Sequence, residues 1–122
     1  MADLRIGYVN VHVGDLQRSL AFFRDALGLP VGFSDAEFGY ASFATAGTGF
    51  AIAQTGEPDL VGRHTGIGFV VSDLDAAHAE LAARGVHFTQ APTRQPWGGY
   101  MALFTDPDGN VFYLDQVDQA TD

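Results

Sequence analysis

Two stretches of this chain share one plan, Val13-Gly14-Asp15-Leu16 and Val71-Ser72-Asp73-Leu74, at an offset of 58 (73 − 15). Each follows an apolar run, alternating from Ile6 to Val13 and then spanning Ile67 to Val71. Each precedes apolar residues at helical spacing that stop at a glycine, Gly28 or Gly85. Alternation gives a strand with one apolar face, and an Asp ahead of a 3.6-residue period gives a capped helix. The spacing predicts a first helix over 16–27. In the second half Leu74, Ala77, His78 and Leu81 share one helical face. Short β-rich runs follow each helix: around Val31–Phe33, Gly39–Ala44 and Phe50–Gln54, then Val86–Thr89, Tyr100–Thr105 and Asn110–Asp115. The chain thus reads as βαβββ written twice. The expectation is one domain over 1–122, with a first module at about 4–55, a linker at about 56–63 and a second module at about 64–117. Ala91–Gly99, with two prolines and Trp97, reads as a loop within the second module.

Composition removes several chemistries. Fifteen acidic residues against six Arg leave a net charge of −9, the wrong sign for a nucleic acid or an anionic membrane surface. The chain contains no Cys and no Lys, so thiol nucleophiles, zinc-thiolate sites, Schiff bases and phosphate-binding loops that use a lysine are out of reach. No Ser or Thr sits in a nucleophile elbow, and no glycine run matches a dinucleotide fingerprint. The first ten residues lack the basic and apolar regions of a secretion signal, and no apolar run approaches a membrane span, so a cytoplasmic protein is expected.

Three stretches carry a resemblance. They are Val13-Gly14-Asp15-Leu16 onward to Leu29, Phe69-Val70-Val71-Ser72-Asp73-Leu74-Asp75, and Pro96-Trp97-Gly98-Gly99-Tyr100 through Asp106-Pro107-Asp108-Gly109-Asn110. Over nearly its whole length the chain resembles the vicinal oxygen chelate superfamily, which holds glyoxalase I, extradiol dioxygenases and the bleomycin-resistance binding proteins. The resemblance implies an α+β fold, two tandem βαβββ modules forming a cup-shaped curved mixed sheet with the helices outside. It also implies where ligands stand in the members that use a metal, on the first and last strand of each module. Those positions fall on Tyr8 and Ala53 (Ala51 if the alignment slips by two), and on Gly66 and Tyr113. Ala and Gly offer no donor and a neutral Tyr rarely serves, so neither a metal nor another cofactor is expected. A shifted site built from His12, His64 and Asp115 stands as the alternative.

Strand parity then names the residues expected to line the cup. Tyr8, Asn10 and His12 share one side of the first strand, and Tyr40 with Phe38 continues that surface. His64 has the parity of Gly66, while Tyr113 and Asp115 share a side of the last strand. Folding the preceding strand back with Thr105 opposite Asn110 puts Tyr100 and Phe104 on that side too, and Trp97 stands at the mouth. An aromatic, small-walled concavity suits a planar organic ligand. The expected function is a non-catalytic small-molecule binding protein that sequesters an aromatic or cationic natural product, as in antibiotic resistance or self-resistance. It is expected to act as a homodimer. The competing reading is a glyoxalase-like or dioxygenase-like enzyme with the shifted metal site, or a metal-free isomerase or lyase using Tyr8, His12 or Tyr113 as acid and base.

Overall fold

A computed structural model describes residues 2–116; the expected end of the second module, at about 117, lies outside them. In chain order the elements are β1 (Tyr8–Val13), α1 (Leu16–Ala21), β2 (Val31–Asp35), β3 (Tyr40–Phe43), β4 (Gly49–Gln54), β5 (His64–Val71), α2 (Leu74–Ala83), β6 (His87–Arg94), β7 (Tyr100–Thr105) and β8 (Val111–Gln116). This is an α+β architecture of two tandem βαβββ modules, and the division between the two compact units falls between Val61 and Gly62. The first unit holds a four-stranded sheet in the order β1-β4-β3-β2 and the second one in the order β5-β8-β7-β6. In both, the first strand lies parallel to the last while the remaining neighbours are antiparallel.

The duplicated aspartates do the same work twice. Asp15 accepts a hydrogen bond from the Arg18 amide at 3.1 Å and Asp73 one from the Ala76 amide at 3.0 Å, which satisfies backbone donors that a helix start leaves open. A second device repeats beside them. The Leu16 amide donates to Gln54 Oε1 at 2.7 Å, and the Leu74 amide donates to Gln116 Oε1 at 3.0 Å. The residue that ends the last strand of each sheet therefore ties down the helix of its own unit.

Each helix covers one face of its sheet. In the first unit Val13, Leu16, Phe23 and Ile52 are buried there, and the Phe23 ring lies 5.3 Å from Phe50 and 5.7 Å from Phe43. In the second unit Leu74, Ala102, Phe104, Phe112 and Leu114 form the core, with Phe104 stacked on Phe112 at 5.4 Å. Such pairs add about 0.5–1.5 kcal/mol to the area they bury.

Two elements depart from the sequence reading. Ordinary α-helix ends at Ala21, and a wider turn over Phe22–Ala26 follows, in which the Leu27 amide donates to the Phe22 carbonyl at 3.0 Å. Such a turn holds an extra residue and re-phases the side chains, and Phe23 within it is fully buried. The stretch Ala91–Arg94, expected as loop, belongs to β6. β6 is the edge strand of its sheet and carries two bulges, which is where a strand tolerates a residue like Pro92. The connection to β7 shrinks to 95–99 and is closed by the Gln95 amide on the Gly99 carbonyl at 2.7 Å.

Candidate functional site

In each unit the face turned away from the helix is the candidate surface. On the first sheet, Tyr8, Asn10 and His12 of β1 lie beside Gly49, Ala51 and Ala53 of β4. Ala51 and Ala53 in turn oppose Ser42 and Tyr40 of β3, and beyond these stand Phe33 and Asp35 of β2. Tyr8, Asn10, His12 and Tyr40 thus share one face, with the His12 Nδ1 atom shielded from solvent. Phe38 does not join them. It sits in the β2–β3 turn, where its amide donates to Asp35 Oδ1 at 3.2 Å and its ring is 81% exposed. Phe33 takes a place that parity did not assign, 56% exposed on the same face as Tyr40. The bulge between Val31 and Phe33 hides it from a count by twos.

On the second sheet the register between β7 and β8 corrects the expected lining. Thr105 pairs with Val111, Leu103 with Tyr113 and Met101 with Asp115. The chain reverses one residue later than expected, because Asp106 and Asn110 close the turn: the Asp106 amide donates to the Asn110 carbonyl at 3.0 Å. The Asp106 carboxylate accepts from the Asp108 amide at 3.0 Å, from the Asn110 amide at 2.8 Å and from Asn110 Nδ2 at 2.9 Å. Asn110 Oδ1 accepts from the Gly62 and Arg63 amides at 2.8 and 3.0 Å. A one-residue slip sends every side chain to the opposite face. Phe104 is therefore buried beneath α2 at 1% exposure, in the core and not on the open surface. Tyr100 follows it to the helix side. Its hydroxyl donates to Asp75 Oδ1 of α2 at 2.6 Å, a bond that foremost holds the phenol above its ordinary pKa, and the Arg94 guanidinium lies 4.5 Å over its ring. Met101 and Leu103 take the places expected of Tyr100 and Phe104.

Tyr113 and Asp115 remain on the open face, with Gly68 and Val70 of β5 beside them. His64 begins β5, and a bulge between His64 and Gly68 accompanies the approach of its ring to Tyr113, centroids 5.1 Å apart. His64 Nδ1 accepts from the Gly66 amide at 3.2 Å. Gly68 leaves room for the Asp115 carboxylate: a Cβ on Gly68 would lie 3.1 Å from Asp115 Oδ2. Burial pushes that carboxyl above the ordinary carboxylate range. Trp97 tips the β6–β7 hairpin at 74% exposure, its indole lying over Gly99, where a Cβ would come within 2.7 Å of Nε1.

The four positions at which the resemblance implies metal ligands do not fit a divalent metal. Tyr8 is an exposed phenol, Ala53 has no donor, and Gly66 sits within the β5 bulge at φ +72°, a backbone that strains any L side chain. Tyr113 packs its ring on His64. Of the alternative set, His12 stands on one sheet and His64 and Asp115 on the other. Among the described residues no three His, Asp or Glu side chains gather so as to hold a metal ion.

Comparison with known proteins matches this architecture. Residues 5–114 fit the Glyoxalase family, the Glyoxalase/Bleomycin resistance protein/Dioxygenase superfamily. The uncharacterized protein YraH of Bacillus subtilis (strain 168) is 26% identical over 124 residues, spanning 91% of this chain and 97% of YraH. A crystal structure of a superfamily member from Sphaerobacter thermophilus DSM 20745 superposes with a TM-score of 0.79 at 28% identity, over 94% of this chain and 98% of that one. TnmS3, an antibiotic binding protein from Streptomyces sp. CB03234, superposes with a TM-score of 0.78 at 28% identity, over 97% of this chain and 99% of that one. Such neighbours fit a small-molecule binding role, and no helix among the described residues is long and apolar enough to cross a membrane. The chain belongs to the Glyoxalase/Bleomycin resistance protein/Dioxygenase superfamily.

Proposed function

We propose that this protein is a non-catalytic binder that sequesters an aromatic or cationic natural product, acting as a cytoplasmic homodimer that protects its host from that compound. The observation that carries this reading is the identity of Tyr8, Ala53, Gly66 and Tyr113 at the family's ligand positions. With no imidazole, carboxylate or thiolate at those positions, the Lewis-acid route to stabilising a developing charge has no anchor there. What the open faces offer instead is ring surface and small residues, which stabilise a bound planar molecule without preferring a transition state. The likeness to TnmS3 supports the same reading.

The test is native mass spectrometry of the protein purified from its own host, followed by titration with a panel of polycyclic aromatic antibiotics. A retained small molecule, released unaltered, with at least micromolar affinity on titration and quenching of the Trp97 emission, is the expected result. The chain's one tryptophan makes that emission a report from the β6–β7 hairpin alone. Release of the compound chemically changed at a catalytic rate would overturn the proposal, as would a host that gains no resistance on expressing the protein.

A further inference from the structure

Resting on that reading, we infer that the ligand carries a positive charge beside its aromatic plane, and that Asp115 on the open face of the second sheet receives it. The immediate neighbours of the carboxylate on that face are uncharged: Val70 and Met101 lie across from it on the adjacent strands, and Tyr113 precedes it on the same side. No hydrogen bond or ion pair reaches it from the described residues, whereas the carboxylates of Asp15, Asp73 and Asp106 each accept from backbone amides. Gly68 is the residue that lets Oδ2 lie over the β5 backbone, at 3.1 Å from where a Cβ would stand.

An anion in such surroundings costs folding free energy unless something compensates it. The His64–Tyr113 ring pair lies on the same sheet, two residues along β8 from Asp115. A flat ring placed against those two rings would carry an amine or amidine substituent within reach of Oδ1 and Oδ2. The class this selects is a planar aromatic cation, held by stacking on its face and by a charge-assisted hydrogen bond at its edge.

The experiment uses the full chain and two probes of one shape: acridine, uncharged at neutral pH, and 9-aminoacridine, protonated there. Titrations followed by probe fluorescence would be run on the parent, on Asp115→Asn and on Glu57→Gln. Glu57 is an exposed acidic residue of the other unit, and its variant removes one negative charge without touching the second sheet. The parent should hold 9-aminoacridine roughly tenfold or more tighter than acridine. Asp115→Asn should erase that preference and leave acridine affinity in place, while Glu57→Gln should keep the preference. A preference that survives in Asp115→Asn, or that falls equally in both variants, overturns the assignment to Asp115. Equal binding of the two probes by the parent overturns the inferred charge yet leaves the aromatic-binding reading standing. Failure of both probes to bind the parent overturns the inference together with the reading on which it rests.

Discussion

Asp115 has a cost in the unbound protein that can be measured apart from any ligand. Burial holds its carboxyl above the ordinary range, and neither cross-strand partner bears a charge. The folded chain therefore binds this proton more tightly than the unfolded chain, and ionisation lowers stability as pH rises through the window above about 4. Asp115→Asn should melt at a higher temperature than the parent at neutral pH, with the gap closing as pH falls below about 4. Thermal melting across that range measures it, and a variant less stable than the parent at neutral pH would contradict the account. Asp73 is the opposite kind of acid. Its side chain holds the Ala76 amide at the start of α2, so Asp73→Ala should cost about 1 kcal/mol of stability, read by urea denaturation. It should leave affinity for 9-aminoacridine unchanged.

At the scale of elements, the β7–β8 register decides which residues are core. Phe104→Ala removes a side chain at 1% exposure that stacks on Phe112, and should cost about 3–5 kcal/mol. Leu103→Ala, on the open face opposite Tyr113, should cost about 1 kcal/mol. Urea midpoints compare the two directly, and the reverse order would return Phe104 to the open face. That register also marks where legibility in the sequence stopped. The repeat of Asp15 and Asp73, the alternation of β1 and the glycines after the helices are local signals, and the strands and helices they imply are present. The first-sheet pairing of Ala51 with Ser42 and Ala53 with Tyr40 follows from the same parity and is also present. The second-sheet pairing does not follow, because Asp106 and Asn110 satisfy each other as a buried pair and delay the reversal by one residue. The His64–Gly68 bulge is equally silent in a count by twos, and with it the meeting of His64 and Tyr113. The Gln54 and Gln116 contacts were hidden for another reason. They join residues 38 and 42 positions apart, so no short window contains both partners.

For the molecule as a whole, apolar side chains stand exposed at and just before the start of β1. Leu4 and Ile6, which precede β1, are 94% and 74% exposed, and Tyr8, its first residue, is 67% exposed. Within its own unit β1 pairs with β4 on one side only, and so stands at an edge of its sheet. A sheet edge beside three exposed apolar side chains invites pairing with another chain, and a twofold partner presents the same patch in return. The net charge of −9 opposes uncontrolled association beyond a closed pair. Sedimentation velocity at micromolar concentration should therefore report twice the chain mass of 13.0 kDa. Ile6→Asp places a charge at the centre of the patch and should give a folded species of single-chain mass, with the parent's thermal transition shifted by no more than a few degrees. A parent that sediments as a monomer, or an Ile6→Asp variant that keeps the dimer, would locate the association surface elsewhere or remove it.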